Sequence, residues 1–240
     1  MKTIMKNLRT IFACLSLLAV APLLAFANEG EIGVIAPINP NDQASLQRGA
    51  QAFINNCLNC HSASYMRYNR LQDIGLTEKQ IKDNLLFAGD KVGDTMKSTM
   101  SKADAKKWFG AAPPDLSVEV RARGADWVYA YLTSFYRDET TSTGWNNKVF
   151  DKVAMPHVLY ELQGEQVLNH ETHMLELVKP GKLSSSEYIA YAADLTNYMA
   201  FMAEPAKQQR KRTGVWVLLF LGVLLLLAIK LKKAYWKDIK

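Results

Sequence analysis

Two cysteines three positions apart with a histidine directly after them, Cys57-Leu58-Asn59-Cys60-His61, constrain this chain more than any other feature. C-x-x-C-H is the spacing for covalent c-type haem attachment. Each thiol can form a thioether with one haem vinyl group, and the adjacent imidazole is presented to the iron as its proximal ligand. A bare C-x-x-C has other readings: a thioredoxin-like redox pair, half of a zinc site, or a plain disulfide. Zinc needs a second ligand pair; only His170 and His173 offer one, and there is no second C-x-x-C. A thioredoxin-like motif belongs near a βαβ pattern, absent here, and does not call for His after the second Cys. The motif predicts a fold built around one haem c.

The remaining cysteine, Cys14, lies in a stretch of another kind. Lys2, Lys6 and Arg9 precede an apolar run from Ile11 to Phe26 that closes on Ala25-Phe26-Ala27. That is the form of a secretory signal peptide over residues 1–27, cut before Asn28. Cleavage leaves two cysteines, both in the haem motif, as suits export to an oxidising compartment. Near the other end, Val215 to Ile229 is apolar apart from Gly222. Counted from Thr213 the segment is 17 residues, about 26 Å as a helix and just enough to cross a bilayer core. Trp216 and Trp236 sit where interfacial aromatics belong. The expected organisation is a signal peptide over 1–27, an exported haem domain over 28–206, an anchor with basic flanks over 207–233, and a cytoplasmic tail over 234–240.

The formal charge of +6 comes from the ends. Between Asn28 and Ala206 there are 17 Lys and Arg against 22 Asp and Glu, about −5. The basic residues flank the membrane segments, so a nucleic-acid-binding reading fails. An acidic exported domain suits electrostatic steering of a basic soluble partner, with Glu161, Glu165, Glu171 and Glu176 as acidic residues that face either such a partner or only solvent.

Periodicity predicts a mainly α domain with no strand runs and no internal repeat. Gly30, Gly33, Pro37 and Pro40 make Asn28 to Asp42 an extended lead-in. A helix capped at Ser45, with Leu46, Ala50, Phe53 and Ile54 as its stripe, runs into Cys57. Thr77 and Gln80 form a capping box for a helix to Phe87. Ser101 caps a helix stopped by Gly110, and Pro113-Pro114 forces extended chain. Helix resumes from Leu116 to Phe135 with a break at Gly124 and a stripe of Trp127, Val128, Tyr131 and Phe135. Arg137 to Lys152 reads as a polar loop. Ser184 and Glu187 box the start of a long helix that ends at Pro205, with Tyr188, Ala192, Leu195, Met199 and Met202 on one face. Tyr65 to Arg70 reads equally as propionate neighbours or ordinary packing.

Met opposite His raises a haem's potential and suits electron transfer. By spacing, Met155 fits a distal ligand best because Pro156 keeps it out of helix; His157, Met96 and Met100 remain open. Met174, Met199 and Met202 read as core or helix-face residues.

Taken together, these residues resemble cytochrome c1, the haem c subunit of the quinol–cytochrome c oxidoreductase (bc1) complex, in its proteobacterial form. The likeness runs from Ser45-Leu46-Gln47-Arg48-Gly49-Ala50 through the haem motif and Tyr68-Asn69-Arg70. It continues in Trp108-Phe109-Gly110-Ala111-Ala112-Pro113-Pro114-Asp115-Leu116-Ser117, Arg121-Ala122-Arg123 and Val153-Ala154-Met155-Pro156-His157-Val158-Leu159. Last come Ala203-Glu204-Pro205 and Arg210-Lys211-Arg212-Thr213-Gly214.

The resemblance implies a class I cytochrome c-like haem domain with insertions plus one C-terminal transmembrane helix. It implies covalent attachment at Cys57 and Cys60, iron ligation by His61 and Met155, a propionate partner in Arg123, and a Pro114 carbonyl that holds the His61 ring N–H. Trp127 stands where the family often has another aromatic. The implied partners are cytochrome b, the Rieske iron–sulfur protein and a soluble cytochrome c acceptor, in a dimeric complex of the bacterial inner membrane with the haem domain periplasmic. No bond chemistry is expected of this chain alone. The rival readings are a stand-alone anchored monohaem cytochrome c feeding an oxidase, and a haem-based sensor.

Overall fold

The computed structural model describes residues 33–238. The expected signal peptide, and the lead-in as far as residue 32, lie outside the described residues. From Val34 onward the chain forms one unit.

Helix α1, Gln43–Asn56, begins at Asp42, whose side chain accepts from the Ser45 N–H at 3.1 Å. The cap therefore falls three residues before the expected Ser45, which instead turns inward and accepts from Asn197 Nδ2 at 2.9 Å. Either side chain can cap, but only Asp42 has the extended backbone that a cap needs. The buried stripe Leu46, Ala50, Phe53 and Ile54 packs on α7, Ser185–Ala203. Gly49 sets the spacing: a Cβ there would lie 2.0 Å from the Asp194 carbonyl oxygen and 2.7 Å from Tyr198 Cβ, so the helices meet backbone to backbone. Arg48 clamps the same crossing with two hydrogen bonds to Asp194, at 2.6 and 3.0 Å. Phe53 and Tyr198, both fully buried, pack with ring centroids 5.6 Å apart.

Beyond the motif come β1 (Ala63–Arg67), a 3-10 helix (Tyr68–Ile74) and α2 (Glu78–Asn84). The Thr77–Gln80 capping box forms, but α2 stops at Asn84, short of the expected Phe87. β2 (Thr95–Met96) pairs antiparallel with β1. α3 (Lys102–Phe109) starts at Ser101 and ends on Gly110 at φ 78°, a left-handed cap that glycine adopts without strain. α4 (Glu119–Arg123) and α5 (Ala125–Thr133) follow, parted at Gly124.

Strands are where expectation and structure differ. β3 (Phe135–Arg137) pairs antiparallel with β4 (Trp145–Asn147), and after α6 (Tyr160–Gln163) β5 (Gly164–Leu168) pairs with β6 (Leu175–Pro180). Phe135 thus lies in a strand, not at a helix end, and the polar loop is half hairpin. Strands of two to six residues are too short to show a two-residue period in sequence. The domain remains mainly α. Met174 also differs: it sits exposed at the β5–β6 hairpin, whereas Met199 and Met202 are core.

α7 carries the Ser184–Glu187 capping box and ends before Pro205. α8, Lys207–Tyr235, is 29 residues long, none of them buried, and is the one described helix long and apolar enough to cross a membrane. It takes in the basic flanks on both sides of the expected 17-residue span. At its foot Glu204 pairs with Arg210, Lys207 and Arg121, joining the start of α8 to α4.

Candidate haem site

The haem motif is a tight turn at the end of α1. The Cys57 N–H closes the helix on the Phe53 carbonyl at 2.8 Å, and the Cys57 carbonyl then accepts from the N–H of Cys60 at 3.1 Å and of His61 at 2.8 Å. The turn brings both thiols and the imidazole to one side of the chain end. Neither cysteine is in a disulfide. Burial pushes Cys57 up to about 12, and Cys60 is raised for the same reason. Both stay protonated, the opposite of the lowered thiol that a C-x-x-C redox pair needs.

The segment after Pro113 is sewn to the residues that follow the motif. The Leu116 N–H donates to the Ser62 carbonyl at 2.8 Å, and the Ser64 N–H donates to Asp115 at 2.9 Å. The Tyr65 N–H donates to Ser117 Oγ at 3.1 Å. Burial opposes the charge on Asp115, but hydrogen bonds from Ser117 and Ser64 outweigh it and hold the carboxyl below the usual range. This seam sets the Pro114 carbonyl 2.8 Å from His61 Nδ1. A carbonyl can only accept, so Nδ1 carries the proton and Nε2 keeps its lone pair. Burial lowers the imidazole further than Pro114, Glu119 and Asp115 raise it, so it is neutral.

A cavity of about 340 Å³ opens beside this turn, within the range of small-molecule and cofactor sites. Its lining includes Cys57, Cys60, His61, Pro114, Arg123 and Met155, the six residues expected at the site, among mainly apolar side chains. His157, Met96 and Met100 are not in the lining. His157 is buried, stacked on Phe135 at 4.7 Å and edge-on to Trp145 at 5.0 Å, and burial pushes its imidazole down to about 4. Met96 is fully buried in the main core.

Arg123 lies over the Trp127 ring at 4.4 Å, with its Nε on Glu119 at 2.7 Å. Trp127 stacks on Tyr131, with centroids 5.1 Å apart and planes at 13°. The Tyr131 hydroxyl donates to Met155 Sδ at 3.4 Å, and burial keeps that phenol protonated well above its usual range. Trp127, Tyr131 and Phe150 were missed by sequence reasoning as cavity residues. The first two sit in the α5 stripe, and an apolar stripe has the same period whether it faces core or cofactor.

The walls fit a haem. Two free thiols, a neutral imidazole with one nitrogen already satisfied and a thioether line one apolar cavity, and a guanidinium stands among its lining residues. The fold and site together define a c-type haem protein with an apolar helix after its haem domain.

Comparison with known proteins narrows this class. The Cytochrome C1 family model matches residues 35–239. The chain is 48% identical over 242 residues to cytochrome c1 of Allochromatium vinosum, covering 96% of this chain and 99% of that one. It is 49% identical over 233 residues to a protein of Nitrosomonas europaea named ammonia monooxygenase gamma subunit, covering 97% and 100%. A chain of a solved "Hyperthermophilic respiratory Complex III" aligns over 98% of this chain and 99% of its own at 18% identity and TM-score 0.46, too loosely to carry anything further. The chain belongs to the cytochrome c1 family. That family binds haem c covalently, and Cys57 and Cys60 stand in its attachment motif.

Proposed function

We propose that this chain is the electron-transfer subunit of a quinol–cytochrome c oxidoreductase complex, holding one haem c between the Rieske iron–sulfur protein and a soluble cytochrome c. The observation that supports it best is the single cavity lined by Cys57, Cys60, His61 and Met155.

Bound haem supplies a one-electron iron couple, which none of the protein's own groups provides. Cys57 and Cys60 would anchor it through thioethers. His61 would ligate the iron through Nε2, its ring orientation fixed by the Pro114 carbonyl. Met155 would be a second iron ligand, and a thioether in that role raises the potential. Arg123 would pair with a propionate through the guanidinium nitrogens that Glu119 leaves free. The apolar walls exclude water and so favour the less charged, reduced state.

In this reading residues 1–27 are a cleaved signal, 28–206 the periplasmic haem domain, 207–233 the single anchor in the inner membrane, and 234–240 a cytoplasmic tail. Cytochrome b and the Rieske protein are partners in a dimeric complex. Glu161 pairs with Lys182, and Glu165 with Arg137 and Lys179, so of the four acidic residues considered for acceptor docking Glu171 and Glu176 are the ones without an ion pair among the described residues.

Gentle solubilisation of native membranes and fractionation by size tests the assignment. The covalent-haem band should elute with b-type haem and quinol-driven cytochrome c reduction in one large particle; a small particle carrying c-type haem alone would make the chain an independent carrier. Met155→Leu tests the ligand: it should abolish the sulfur–iron charge-transfer band and lower the potential, and an unchanged spectrum and potential would remove Met155 from that role.

A further inference from the structure

We infer that the mouth of the cavity is a docking surface for an acidic soluble electron carrier, with Lys106 and Lys107 drawing the carrier in and Trp108 seating it. The inference rests on the reading of the chain as an electron-transfer subunit, and adds the chemistry of the partner that takes the electron.

Charge in the domain is divided. The segments 106–123 and 148–158 supply most of the cavity lining. They hold six Lys and Arg against three Asp and Glu, a charge of +3. The rest of residues 28–206 hold 11 against 19, a charge of −8. The acidic balance of the whole domain therefore lies outside the segments that form the mouth. The three carboxylates within them are already engaged. Glu119 holds Arg123 at 2.7 Å, Asp151 accepts from Asn146 Nδ2 at 2.9 Å, and Asp115 accepts from the N–H groups of Ser64 and Ser117 at 2.9 Å. Lys106, Lys107 and Lys152 are exposed and have no ion pair among the described residues.

Shape agrees with charge. In α3 Ala105 alone is buried, so the helix presents most of its surface outward. Trp108 near its end is 63% exposed and meets Phe109, a lining residue, edge to face at 6.5 Å. Ala111, Ala112 and Pro114 follow in the lining and are exposed as well. Phe150 and Val158, from the second segment, line the same cavity and are also exposed. An apolar centre with a charged rim is the anatomy of a protein interface, and Trp is among its strongest anchors.

The sign of the rim selects the partner. Salt screens charges more than about 8 to 10 Å away, so the lysines at the mouth outweigh the distant carboxylates once a carrier is close. A basic carrier would be attracted to the rest of the domain and repelled at the mouth. An acidic one is repelled elsewhere and attracted at the mouth, which orients it for transfer. One electron then passes from the bound haem to the oxidised carrier, with no bond made or broken.

The test uses the purified complex, reduced, against one carrier in two charge forms. These are a basic cytochrome c and the same protein with its lysines succinylated, which makes it acidic. Second-order rates by stopped flow over a range of ionic strength read the sign of the contact. At low salt the succinylated form should react about tenfold faster, slowing as salt rises while the basic form speeds up. Lys106→Glu with Lys107→Glu should lower the acidic form's rate about tenfold and raise the basic form's, with haem spectrum and potential unchanged. Trp108→Ala should slow both forms alike and leave their salt slopes as they were. A basic form that is faster at low salt, or a charge reversal that moves neither rate, would overturn the inference. So would a reversal that slows only reduction by quinol, which would set the lysines against the donor subunit. A reduced complex that passes electrons to neither form sinks the electron-transfer reading itself.

Discussion

The two walls of the cavity are built in different ways. The near wall is short-range: α1 runs into the Cys57–His61 turn, and the turn closes on its own backbone. Its one long-range element, the Pro114 seam, adds to geometry that the turn already has. The far wall has almost no local logic. Met155 sits in irregular chain, and its position follows from α5, the β3–β4 hairpin and the loop beyond. Asn146 and Asn147, both buried, organise that loop. Asn147 Oδ1 accepts from Ser134 Oγ and from the N–H groups of Val149 and Phe150, while its Nδ2 donates to the Tyr131 carbonyl. Asn146 Oδ1 accepts from the Lys152 N–H, and its Nδ2 donates to Asp138 and Asp151. A wall made by local turns tolerates distant change; one made by a buried polar network fails as a unit.

Removing the attachment chemistry should have the largest effect. Cys57→Ser with Cys60→Ser should eliminate the covalent-haem band of the denatured protein, and any remaining covalent haem would place the attachment elsewhere. Next, Asn147→Ala leaves several buried groups of the far wall unpaired, at a cost of about 3 kcal/mol. Thermal unfolding should show it, together with new carbon monoxide binding to the reduced haem as Met155 loosens. Unaltered carbon monoxide resistance would mean that Met155 is held without this network.

On the near wall, Asp42→Ala removes the α1 cap at about 1 kcal/mol, lowering the melting temperature slightly and leaving the haem spectrum as it was. A spectral change there would break the contrast between the walls. The smallest effect concerns Glu165, which hydrogen bonds from Arg137 and Lys179 hold at about 2 against an ordinary 4.5. Arg137 also lies over Trp145 at 3.9 Å, beside His157. A depressed folded value adds stability that is present above about 4.5 and is lost as pH falls toward 2. Glu165→Gln should flatten that window in an acid-unfolding curve; identical curves would show that the pair is fully screened.

Legibility followed the same division. The capping residues Thr77, Ser101 and Ser184, the Gly110 stop and the apolar span before Lys230 were readable because each signal lies within a few residues of its effect. Asp42 was missed for Ser45 because two cap-competent side chains stood three residues apart. Short strands such as β3 left no period. Pro114 and Arg123 entered through family likeness, while spacing already favoured Met155 but left His157, Met96 and Met100 open. Packing separates them, since His157 fills an aromatic slot and Met96 a core site.

By itself, then, the sequence determined the haem motif, the helices with most of their caps, and an apolar segment long enough to cross a bilayer. These rest on hydrogen bonds and hydrophobic periods that close within one or two turns of chain. Tertiary structure alone decided that the Pro114 carbonyl meets His61, that Tyr131 meets Met155, and that Asn147 joins α5 to the far loop. Those contacts span 53, 24 and 16 residues, and no local signal encodes a partner so far along the chain. They exist because the packing of α1 on α7, and of α5 beside them, leaves one place where those groups can be satisfied.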